Sequence, residues 1–166
     1  WQRPSLRSWP PRSSAPFICP VLRERFASDV NKLSACYPET TVRECEYGAW
    51  LNVPSEVLLG LEKRARFILF IPFMFGYKPK AWGFWQQGLA FSWIGPRHTN
   101  FPDGSICAFD PRDEIWDVED GLVSLVDLFT VWAFRHAHLE VLKRWPGRQS
   151  VWHPYERILE FNDDEI

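Results

Sequence analysis

From Gly121 to Trp145 the chain contains no internal glycine or proline, and no other stretch limits the fold as tightly. Leu122, Leu125, Val126, Phe129, Trp132 and Ala133 recur at helical spacing and make one apolar face, and Leu128, Val131 and Ala137 widen it. A helix apolar over so broad an arc is either covered on more than one side or presents a docking face. Trp145-Pro146-Gly147 predicts where it stops, because proline cannot continue a helix.

The chain upstream supplies a second helix and strands to pack with it. Leu22, Phe26, Val30 and Leu33 keep a helical period after Pro20, a residue suited to a first turn, and Tyr37-Pro38 predicts the end. Residues 39–76 read as strands joined by short connections: Thr40–Val42, Tyr47–Val53, Val57–Leu61 and, after a charged turn at Glu62–Arg64, Phe67–Ile71. Residues 77–100 read as irregular, punctuated by Pro79, Gly83, Gly88 and Pro96, with Leu89–Ile94 as a last short strand. The expected fold is α+β: an N-terminal helix, an antiparallel meander of about four strands, a loop-rich segment and a long second helix. Residues 1–16 are rich in Pro, Ser and Arg without apolar period and read as a flexible arm, leaving 17–166 as one domain.

Charge argues against some partners. A net charge of −2 gives no support for a nucleic-acid ligand. The longest apolar run, Phe67–Phe75, contains a proline and is far short of the ~20 residues a bilayer-spanning helix needs, so no membrane partner is expected. Charge is polarised, with five arginines against Glu24 in residues 1–26 and five carboxylates against Arg157 in residues 156–166. Cys19, Cys36, Cys45 and Cys107 show no C-x-x-C spacing, and no signal peptide precedes them, which predicts free thiols in a reducing cytoplasm. Ten tryptophans and thirteen phenylalanines exceed what a core of this size needs, so part of the aromatic set belongs on a protein-binding face.

The chemistry is concentrated in Pro96–Phe109. Pro102-Asp103-Gly104 is a turn signal, so the chain should reverse there and hold Cys107 at the exit of a tight loop. Asn100 precedes the reversal, which brings its amide back towards the sulfur. A thiolate nucleophile beside amide donors suits acyl transfer. The ordinary reading of a free cysteine is a small buried hydrophobe; it is retained for Cys19, Cys36 and Cys45, whereas the turn and Asn100 favour a nucleophile at Cys107.

His98-Thr99-Asn100 followed by Gly104-Ser105-Ile106-Cys107 resembles the active-site segment of ubiquitin-conjugating enzymes, where His-Pro-Asn precedes Gly-x-Ile-Cys. Phe67–Pro72 and Gly76-Tyr77-Lys78-Pro79 are similar to that family's third strand and following turn, and Trp116 stands where the family has a tryptophan. Thr99 replaces the proline, and the loop to Cys107 is one residue short. These departures, with Trp145-Pro146-Gly147, are closer to the divergent bacterial carriers of antiphage ubiquitin-like conjugation operons. The resemblance implies a UBC-like fold. It also implies a Cys107 thioester to a ubiquitin-like protein received from an activating enzyme, and transfer to a lysine of a target protein. Asn100 would support the loop and the oxyanion, His98 would support the loop, and no metal or organic cofactor is implied. Asp110, Asp117 and Asp120 flank the downstream side and are candidates to accept the proton of the incoming amine. Acids at that position also serve as helix-entry residues, stabilised by the dipole.

Two other classes remain open on sequence. One is an adaptor of the same fold that binds a modifier without chemistry. The other is a thiol hydrolase pairing Cys107 with His136, His138 or His153. His136-x-His138 cannot converge on one metal from a regular helix, since residues two apart diverge.

Overall fold

The computed structural model describes residues 18–57, 63–108 and 115–146. The expected arm at 1–16, the stretch 58–61, Asp110 and His153 lie outside the described residues.

Helix α1 spans Pro20–Cys36 and opens on a proline, whose missing N–H has no intrahelical partner to lose. It closes where Tyr37 N–H donates to Leu33 O at 2.7 Å. Five strands follow: β1 Thr41–Cys45, β2 Gly48–Val57, β3 Arg64–Pro72, β4 Lys80–Gln87 and β5 Ala90–Trp93. They pair antiparallel in chain order, as one meander. A single 3-10 turn at Val118–Asp120 leads into α2, Gly121–Leu142. The architecture is therefore α+β, two helices on a five-stranded antiparallel sheet. Among the described residues no helix is long and apolar enough to cross a membrane.

Two sequence expectations need correction. Residues 80–87 are not irregular but a full central strand, which raises the count from about four strands to five. The misleading residue is Gly83. It faces the core of β4, where a Cβ would lie 2.6 Å from Cζ3 of Trp132, so glycine marks close approach by α2 rather than a break. Helix α2 also stops three residues before Trp145. Lys143 takes φ +57°, its N–H closes on Leu139 O at 2.9 Å, and the chain turns back so that Trp145 is buried.

The core lies between sheet and helices. Ala49, Leu51 and Val53 alternate inward on β2, Ala65, Phe67 and Leu69 on β3, Ala81 and Trp85 on β4. Against them α2 buries Leu122, Leu125, Val126, Phe129, Trp132 and Ala133, the face read from the sequence, and adds His136 and Ala137. Tyr37 at the end of α1 donates to Asp127 of α2 at 2.6 Å, fixing one helix on the other. After β5 comes the 94–108 loop, bonded to Ala81 of the sheet and to Trp132 and His136 of α2.

Candidate active site

Residues 98–107 form a closed reversal. Asn100 N–H donates to Ser105 O at 2.7 Å, Gly104 N–H to Asn100 O at 2.8 Å, and Cys107 N–H to His98 O at 2.9 Å. Thr99 and Ile106 bridge as a minimal antiparallel pair. Gly104 takes φ +68°, the left-handed turn position the Pro-Asp-Gly signal requires. Asp103 fixes the turn from within: Oδ1 accepts Ser105 N–H at 3.0 Å and Oδ2 pairs with Lys80 of β4. Those bonds, Lys80 first, hold its carboxyl down at about 2. Ile106 N–H donates to Ala81 O at 2.7 Å, tying the loop to the edge of β4 beyond the stretch that β5 covers.

Asn100 is engaged inside the loop. Its Nδ2 donates to Ser105 Oγ and Ile106 O, each at 3.2 Å, so the amide lies against the residue preceding Cys107. That arrangement performs loop support directly. His98 takes φ +51° and acts through its carbonyl, which accepts from Cys107 N–H and from Trp132 Nε1–H at 3.0 Å. The neighbouring Arg97 carbonyl accepts from His136 Nε2 at 2.8 Å. Since a carbonyl only accepts, Nε2 carries the proton. Burial pushes His136 below the ordinary histidine range, against the opposing pull of the Arg97 carbonyl, so it is neutral at pH 7. Trp145 completes the clamp, stacking on His98 at 4.4 Å and edge-on to His136 at 5.0 Å.

Cys107 is half-buried and lies on the wall between two cavities. One is an open cleft of about 1730 Å³ between α1, the 74–80 turn and the Cys107 loop. The other, of about 140 Å³, is lined by His98, Trp132 and Trp145 beneath the helix. Arg135 lines both alongside Cys107. Asp117 lines the large cleft, while its Oδ1 accepts Glu119 N–H at 2.6 Å. Asp120 accepts Asp117 N–H at 2.8 Å, completing a reciprocal capping box. Both acids are therefore helix-entry residues, and of the two only Asp117 also borders the cleft.

No protein-family model, curated protein or solved structure matches this chain. The site brings Cys107, Asn100, His98 and Asp117 to one region. It commits His136 to a backbone carbonyl, and it leaves His138 bonded within its own helix to Phe134 O at 3.2 Å. Sequence reasoning missed Trp132 as a loop anchor and Arg135 as part of the lining that Cys107 shares. The helical period signals that Trp132 is buried but not that its N–H reaches out of the core, and one arginine among many carries no signal at all.

Proposed function

We propose that this protein is a carrier enzyme of UBC-like fold that holds a ubiquitin-like protein as a thioester on Cys107 and passes it to an amine. The observation that carries the reading is the placement of Cys107. It sits at the exit of a reversal locked by Asn100 and clamped by α2, partly exposed beside an open cleft of about 1730 Å³.

In the first step the Cys107 thiolate attacks the thioester carbonyl joining the modifier's terminal glycine to the activating enzyme. A new C–S bond forms, and the activating enzyme's thiolate leaves. In the second step a lysine amine attacks the Cys107 thioester, an amide forms and the Cys107 thiolate departs. A thioester suits both steps because it conserves activation and leaves readily to an amine. Asn100 keeps the loop from yielding while the carbonyl carbon becomes tetrahedral, and Asp117 at the cleft rim accepts the proton that the amine loses. By the same resemblance we place the protein in a bacterial antiphage conjugation system, with an activating enzyme, a ubiquitin-like protein and a lysine-bearing target as partners.

The test is a charging reaction with a bacterial activating enzyme and its ubiquitin-like protein, plus ATP, resolved on non-reducing gels. A thiol-labile adduct lost in Cys107→Ala supports the carrier. Absence of an adduct despite binding of the modifier rejects it for an adaptor. Cleavage of a modifier fusion by this protein alone rejects it for a hydrolase.

A further inference from the structure

Attack by Cys107 on a carbonyl puts negative charge on the acyl oxygen, and a fixed donor aimed at that oxygen lowers the barrier. Most donors around the cysteine are already committed. Asn100 Nδ2 bonds Ser105 Oγ and Ile106 O. Cys107 N–H and Trp132 Nε1–H both end on His98 O, and His136 Nε2 ends on Arg97 O. Diverting any of these would loosen the loop that presents the sulfur.

One buried donor is not committed. Trp145 is 7% exposed, and its indole N–H has no acceptor among the described residues. A buried N–H without a partner gives up the hydrogen bond that water supplies to the unfolded chain, so its presence calls for a reason. The ring lines the cavity of about 140 Å³ that Cys107 also lines, a space well above the ~15 Å³ that one water needs. Three side chains fix it: His98 stacks at 4.4 Å, His136 meets it edge-on at 5.0 Å, and the Arg97 guanidinium lies over it at 5.7 Å. Arg97 Nε is likewise buried with no acceptor among the described residues. Two uncommitted donors, one of them cationic, therefore stand together and suit an anionic acceptor.

We infer that Trp145 Nε1–H is the oxyanion donor of the Cys107 reaction, a role that rests on the carrier reading above. As the Cys107 thiolate attacks the incoming thioester, the carbonyl π pair moves onto oxygen and the indole N–H bonds the alkoxide. The pair returns when the activating enzyme's thiolate leaves. The same donor serves the second step, in which a lysine amine attacks, loses its proton to Asp117 and expels the Cys107 thiolate. Arg97, over the ring, favours negative charge at this spot. Arg135 also lines the cavity but is half-exposed on a flexible stem. The indole is already in place, and it needs no reorganisation when charge develops.

The test replaces Trp145 with β-(3-benzothienyl)alanine by amber suppression, which keeps the shape of the ring system and exchanges the N–H for sulfur. The probe is the mercaptoethanesulfonate thioester of acetyl-glycylglycine. Mass spectrometry of the Cys107 peptide follows acylation, then discharge to free lysine. Both should slow about 10–100-fold, since loss of one oxyanion donor costs up to ~10³. Alkylation of Cys107 by iodoacetamide forms no oxyanion and should keep its rate. The urea midpoint should hold or rise, because the deleted N–H has no acceptor among the described residues. Trp145→Phe should show the same split between acylation and alkylation. Equal acylation and discharge in native and variant chains overturn the inference and leave the carrier reading standing. Acylation and alkylation slowed by one common factor overturn it in favour of loop support. A loss in Arg135→Gln without one in the benzothienyl variant overturns it in favour of Arg135. Failure of the native chain to form acyl-Cys107 overturns this inference and the carrier reading together.

Discussion

Replacing Trp132 by phenylalanine tests how the fold holds the site. Trp132 is 3% exposed, its ring fills the space left by Gly83, and its indole N–H is one of two donors to His98 O. Phenylalanine keeps an aromatic ring in the core but loses the donor and the outer part of the indole. The lost hydrogen bond is worth about 1 kcal/mol, the lower part of the usual range for a lost partner, because Cys107 N–H still satisfies the carbonyl. The missing ring atoms, two or so methylene equivalents, add about 1.5 kcal/mol at ~0.8 kcal/mol each. Urea denaturation should therefore show a loss of about 2.5 kcal/mol. The loss should be uneven. Amide exchange at Cys107 should accelerate more than at Leu69 in the middle of β3, because the bond that protects it ends on the loosened carbonyl. Leu33→Ala, a core change on α1 that removes no donor to the loop, is the control and should leave Cys107 exchange following global stability. Equal acceleration at Cys107 in both variants would refute the clamp, as would a Trp132→Phe cost below about 0.5 kcal/mol.

Three further outcomes follow from the same contacts. Gly83→Ala, whose Cβ would overlap Trp132 at 2.6 Å, should cost about 1–3 kcal/mol by overpacking and slow charging of Cys107; unchanged stability and charging would contradict the close approach. His136 is held neutral, its folded pKa depressed by burial. The unfolded chain therefore takes up the proton first as pH falls below about 6.5, and stability should drop through that window. His136→Gln, which keeps an N–H donor, should flatten that dependence in thermal melts at pH 5 to 8; an unchanged slope would sink the assignment. Asp103→Asn removes the charge that pairs with Lys80 and should reduce the acid-side loss of stability between the ordinary aspartate range and about pH 2, read by acid titration of the folded state. A native-like titration curve in the variant would show that another carboxylate is responsible.

The sequence made some of this legible and concealed the rest for physical reasons. Both helices were readable because burial on one face imposes a period, and every residue assigned to the inner face of α2 is buried there. The Pro-Asp-Gly reversal was readable because its backbone demands leave few alternatives. Strand β4 was hidden, since Gly83 and the flanking Pro79 and Gly88 mimic loop punctuation when the helix that needs the space is distant in sequence. The roles of Trp132 and His136 were hidden for a related reason. Each uses a ring N–H to reach a backbone carbonyl more than thirty residues away, and side-chain identity carries no trace of a main-chain acceptor. Asn100 was placed correctly beside the cysteine segment, but its amide bonds Ser105 and Ile106, a local closure that spacing alone does not distinguish from contact with the sulfur.

The central claim is that Cys107 carries an acyl group, and intact-mass spectrometry of a charging mixture reads this most directly. The account predicts one added modifier less one water, localised to the Cys107 peptide, released by hydroxylamine, and replaced in Cys107→Ser by an ester of equal acyl mass that resists thiols. An adduct localised to Cys19, Cys36 or Cys45, or one that persists in Cys107→Ala, would contradict it.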